Sequence, residues 1–87
     1  MTDNEIIESI KKVITNHAGI DESIITMDTN FYDDLNADSL DIIELTLRFE
    51  EAFKIDMAEE ASLELKTVRD MFNYVKTKLE EKKLKTA

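Results

Sequence analysis

Three separate stretches of this 87-residue chain repeat their apolar residues at helical spacing, and that recurrence limits the fold to helices packed around one core. In the first, Ile6, Ile7, Ile10, Val13 and Ile14 form a stripe that runs up to His17. Thr2 followed by Glu5 has the spacing of a capping box at its start, and Gly19, the sole glycine, suits a left-handed stop. The second stretch runs from about Ser39 to Phe53. The third is carried by Val68, Met71, Phe72, Val75 and Leu79, with Thr67 and Asp70 in an N-cap arrangement. Between them, Ala58 to about Leu63 predicts a short helical piece, with Met57, Ser62 and Leu65 facing inward.

The expected fold is therefore all-α: a small four-helix bundle of three main helices plus a short third one, with a long loop between helices 1 and 2. Apolar residues lose helical periodicity from Ile20 to Ala37, where turn and cap formers crowd in. A loop this long needs anchors in a small domain, and Ile24, Met27, Phe31 and Leu35 are the candidates. One domain over residues 1–87 is expected, with a core of about 2–79. The lysine-rich segment from Lys76 on is expected to fray, leaving 80–87 as a tail.

At this size a hydrophobic core can stand without staples, and the absence of cysteine rules out a disulfide framework and Cys-ligated metal. Eleven basic against twenty acidic residues give a formal charge of -9, which argues against nucleic-acid or anionic-membrane partners and points to basic ones. The charge is uneven. Between Asp21 and Glu64, fourteen acids face only Arg48 and Lys54. No run approaches the roughly 20 apolar residues of a membrane span. The acidic start Met1-Thr2-Asp3-Asn4-Glu5 is unlike a signal or transit peptide. A cytoplasmic location is expected, or a mitochondrial matrix or plastid if a targeting segment has been removed.

The second helix carries two apolar stripes where one would serve the core. At about 100° per residue, Ile42, Leu45, Phe49, Ala52 and Phe53 share one side, while Leu40, Ile43 and Leu47 lie nearly opposite, bordered by Glu44 and Glu51 with Asp41 and Arg48 farther round. The spare stripe is either covered by another part of the chain or is a partner surface rimmed by charge. Where this helix begins, Asp38-Ser39-Leu40 sets an addressable hydroxyl at a helix N-terminus, whose free amides and dipole favour a phosphodiester.

With Asn36-Ala37 before it, Glu44, Leu47, Glu50 and Glu51 behind it, and Glu50-Glu51-Ala52-Phe53 and Lys66-Thr67-Val68-Arg69-Asp70 later, this pattern resembles the acyl carrier proteins from the first helix to Val75. The resemblance implies that Ser39 carries a 4'-phosphopantetheine arm, transferred from coenzyme A by a separate phosphopantetheinyl transferase. Asp38 would support that magnesium-dependent step. It further implies that Leu40, Asp41, Ile43, Glu44, Leu47, Glu50 and Glu51 dock basic patches on fatty-acid or polyketide synthesis enzymes. The acyl chain, held as a thioester, would fold back near Leu45, Phe49, Met57, Leu65 and Met71. The arm supplies the thiol that the chain lacks, and a monomer without catalytic residues is expected. The sequence departs from the family pattern in Asn36 for a usual glycine, in Arg48 on the second helix, in Ala58 for a common proline and in Leu63.

Other readings of the same residues are weaker. Asp34, Asn36 and Asp38 have the alternating spacing that opens an EF-hand loop, but Ser39 replaces the glycine and Leu45 stands where the bidentate glutamate belongs, so no metal site is expected. A serine hydrolase lacks its base: the sole histidine, His17, sits on the first helix and is expected to meet that helix's free carbonyls. For Ser39 itself the plain alternative is an N-cap, a role Asp38 can take instead. An unmodified carrier fold acting as an interaction subunit remains open, as do peptidyl, aryl and D-alanyl carriers.

Overall fold

Helix α1 (Asp3–Ala18) begins at the predicted capping box: the Glu5 amide donates to Thr2 Oγ1 at 3.2 Å and the Thr2 amide to Glu5 Oε1 at 2.8 Å. It ends at Gly19, whose amide donates to the Thr15 carbonyl and whose left-handed φ of 69° turns the chain out of the helix. The structure is a computed structural model and describes residues 2–57 and 64–86, with side chains as far as Lys82. Ile6, Ile10 and Ile14 bury the stripe that the sequence marks, and α1 packs on both later helices, α2 (Ser39–Phe53) and α3 (Val68–Thr86). The described residues thus form three helices without a named strand. No described helix is long and apolar enough to cross a membrane.

The connection from α1 to α2 is held by backbone bonds as much as by side chains. Asp21 caps a short 3-10 turn, Glu22–Ile24, and the chain then runs past the segment before α3. There the Phe31 amide donates to the Lys66 carbonyl at 2.8 Å, the Val68 amide to Thr29 at 3.0 Å and the Arg69 amide to Met27 at 2.9 Å. Phe31 fills the core beneath this seam, while Met27 and Leu35 are partly buried against it.

Two carboxylates that serve as local acceptors titrate below their usual range. Glu5 is held down chiefly by the Thr2 amide and next by its hydroxyl, and Asp21 by the Ser23 amide. Their contribution is present at neutral pH and fades as pH falls through the lowered values.

Not every expectation holds. Ile24 is 61% exposed and Ile25, at 2%, is the anchor, because the 3-10 turn shifts the inward position by one residue. Ala52 is exposed, and Thr46 completes the buried side of α2; its hydroxyl donates to the Ile42 carbonyl at 2.8 Å, which satisfies a polar group in the core. The lysine-rich tail is helical to Thr86. Its Lys, Glu and Leu residues are good helix formers, and Lys82 Nζ donates to the Lys54 carbonyl at 2.8 Å. The short helix expected over Ala58 to Leu63 lies outside the described residues; its neighbours Met57 and Leu65 are buried and partly buried.

Helix α2 ends without glycine. Lys54 adopts φ 55° and donates its amide to the Glu50 carbonyl, and Ile55 then turns back into the core.

Candidate functional site

The approach to Ser39 is a short, fully specified path. Asn36 takes a left-handed φ of 52°, a region that asparagine tolerates better than other side-chain-bearing residues. The Ala37 amide then donates to the Phe31 carbonyl at 2.9 Å, tying the path to a core residue. Asp38 follows in extended conformation and caps α2: the Asp41 amide donates to Asp38 Oδ1 at 2.9 Å and the Asp38 amide to Asp41 Oδ2 at 3.1 Å.

Because Asp38 caps the helix, Ser39 does not have to. It is the first helical residue, exposed, and among the described residues nothing hydrogen-bonds its hydroxyl. The amides of Ser39 and Leu40 precede the first intrahelical bond, at the positive end of the helix dipole. This arrangement can present an oxygen for modification and favour a phosphodiester placed on it. Its dependence on Asn36 is testable. Asn36→Val is expected to lose about 1–2 kcal/mol, the cost of a branched residue in the left-handed region, while Asn36→Gly stays near the parent. Urea unfolding of both variants checks this; equal losses would show that the positive φ is not what the position requires.

Along the outer side of α2, Leu40 is 74% and Leu47 60% exposed, with Ile43 half-buried between them. The described residues leave Leu40 and Leu47 open to solvent and cover Ile43 in part. Glu44 and Glu51 are exposed along it, and Glu50 is half-buried. Arg48 Nη2 lies 3.5 Å from Glu44 Oε1, a surface pair one turn apart that is worth little by itself.

Asp41 differs from the other acids. It turns toward α1, where its Oδ1 lies 3.8 Å from His17 Nε2. His17 was expected to meet the free carbonyls of its own helix; its polar approach is across to α2 instead. An open cleft of about 200 Å³ adjoins the pair, lined by Ile14, Ala18, Leu35, Ala37 and Leu45 as well.

Of the residues expected near an acyl chain, Leu45, Phe49, Leu65 and Met71 line one seam with Phe31 and Ile42, and the seam is too narrow to admit a water molecule. Met57 is buried outside that lining. Phe31 and Ile42 had a signal in the sequence, as loop anchor and core residue, but nothing linked them to the seam. Asp34, the first residue of the apparent calcium spacing, accepts the Asn30 amide at 2.7 Å, so it stabilises a loop turn while Asp38 caps a helix.

Comparison with known proteins meets the same residues. The phosphopantetheine attachment site family matches residues 8–75. An acyl carrier protein from Clostridium acetobutylicum is 43% identical over 76 residues, covering 87% of this chain and 99% of that one. A solved structure of acyl carrier protein from Enterococcus faecalis superposes with a TM-score of 0.75 at 32% identity, covering 90% of this chain and 99% of the other. The helix order, the capped serine and these matches together establish that the chain belongs to the acyl carrier protein family.

Proposed function

We propose that Ser39 receives 4'-phosphopantetheine from coenzyme A through a phosphopantetheinyl transferase and that the arm carries acyl intermediates as thioesters. The observation that carries this reading is an exposed serine hydroxyl at a helix start already capped by Asp38. In the transfer, the Ser39 oxygen attacks the β-phosphate of coenzyme A, its proton leaves to a base of the transferase, and 3',5'-adenosine bisphosphate departs. Asp38 supports this step through its place beside the serine, with the metal ion supplied in the transferase complex. The domain itself performs no chemistry on the acyl group.

The exposed Leu40 and Leu47 with the half-buried Ile43 between them, rimmed by Glu44, Glu50 and Glu51, form the docking face for enzymes with basic patches. Charge steers the encounter and a small apolar contact completes it, which permits weak binding and fast release. Strong acidity along α2 favours fatty-acid or polyketide synthases as the partners, and the chain works with them as a monomer in their compartment. The acyl chain enters by opening the seam between Leu45, Phe49, Leu65 and Met71, since that seam is closed at rest.

The test is chemical. Armed protein charged with an acyl group should show an acyl mass that neutral hydroxylamine removes while the arm stays on Ser39. An acyl mass that resists hydroxylamine would mean an oxygen ester or amide and would contradict the carrier reading.

A further inference from the structure

His17 stands at the end of α1 with its side chain only 15% exposed, so its surroundings fix the imidazole, and its Nε2 points at α2. There Asp41 and Glu44 sit one helical turn apart. One ligand atom from each of the three residues lies within 4.8 Å of the others, and His17 Nε2 and Asp41 Oδ1 are already 3.8 Å apart. We propose that His17, Asp41 and Glu44 form a binding site for a divalent transition-metal ion of the Zn²⁺ type, which clamps the end of α1 to the start of α2 beside Ser39.

Geometry favours an ion here. Zinc bonds of about 2.0–2.2 Å to nitrogen and oxygen place tetrahedral ligands roughly 3.3 Å from one another, so the His17–Asp41 pair needs only a small closure. Glu44 supplies the remainder, being exposed and, among the described residues, tied only by its weak pair with Arg48. Asp41 is pre-oriented: its Oδ2 accepts the Asp38 amide at 3.1 Å, which leaves Oδ1 facing His17, the kind of outer support that ligating carboxylates have. The adjoining cleft of about 200 Å³ gives room for water in the open coordination position.

Donor chemistry selects the ion. An imidazole suits Zn²⁺, Ni²⁺ or Cu²⁺, whereas Mg²⁺ and Ca²⁺ prefer oxygen alone. The ligands come from two helices brought together by the fold, so no local spacing announces them. An ion bound here would neutralise Asp41 and Glu44, and binding does not depend on the carrier reading or on the arm.

The experiment is calorimetric titration of the untagged, chelator-stripped full chain with ZnCl₂ and, separately, MgCl₂, for the parent, His17→Gln and Glu44→Gln. One zinc per chain is expected in the parent. Each variant should bind zinc at least about tenfold more weakly, since losing even an outer-shell partner costs 10–100-fold. The response to Mg²⁺, set by the whole acidic surface, should be the same in parent and His17→Gln. His17 is the only histidine, so its ring proton resonances report occupancy without ambiguity and should shift with zinc alone. Equal zinc affinity in parent and variants, or ring resonances that stay unmoved through the zinc titration, would overturn the proposal. Glu44→Gln alters an exposed side chain and keeps the test decisive if His17→Gln is poorly folded.

Discussion

Phe49→Ala is expected to cost about 3–5 kcal/mol of stability, the range for removing a large buried aromatic. Phe49 is fully buried at the centre of α2, its ring 6.4 Å from that of Phe53 at 19°, and it lines the closed seam with Phe31, Ile42, Leu65 and Met71. Both lost transfer energy and the cavity left after partial relaxation of neighbours such as Met71 contribute. Domains of this kind have about 5–15 kcal/mol in total, so the loss is a large share. Leu47→Ala, on the exposed stripe of the same helix, should stay within about 0.5 kcal/mol of the parent. Urea unfolding followed by circular dichroism compares the two. Similar losses would mean that the assignment of the two faces of α2 is wrong.

Glu44→Lys should lower kcat/KM for acyl transfer with a basic-patched synthase about tenfold at low ionic strength, equivalent to roughly 1.4 kcal/mol. The substitution reverses a charge beside Leu40 and Leu47 and leaves Arg48 without its partner. Added salt should shrink the difference, because the interaction is between exposed charges. Glu8→Lys, an exposed position on α1, makes the same change in net charge away from that face. The assays belong in chelator, so that a metal at Glu44 plays no part. Equal losses in the two variants would assign the effect to overall charge and not to the outer side of α2.

Much of this arrangement is legible in the residues. Helix α2 starts at Ser39 and ends at Phe53 as the periodicity indicates, since Asp38 is a strong cap and the buried stripe runs unbroken between. Both the Thr2 box and the Thr67–Asp70 reciprocal bonds follow from short side chains at the right spacing. The separation of Leu40 and Leu47 from the core is likewise a matter of angle around one helix.

What the residues do not announce depends on backbone geometry or on contacts between distant segments. The exchange of Ile24 for Ile25 follows from a single 3-10 turn, which two adjacent isoleucines cannot reveal. Lys54 occupies a left-handed position usually marked by glycine, so the turn that buries Ile55 carries no signal. The loop's hydrogen bonds with Lys66, Val68 and Arg69 use main-chain atoms, which every residue here has. The approach of His17 to Asp41 joins positions on separate helices, and only packing brings them together.

The central claim is that Ser39 carries the arm, and intact mass tests it most directly. The chain and a Ser39→Ala variant are incubated with coenzyme A, magnesium and a broad-specificity phosphopantetheinyl transferase, with circular dichroism to verify that both remain helical. The account predicts a gain of one phosphopantetheine, about 340 Da, on the parent and none on the variant. A folded parent that gains no mass, or a variant that gains the same mass, would contradict it.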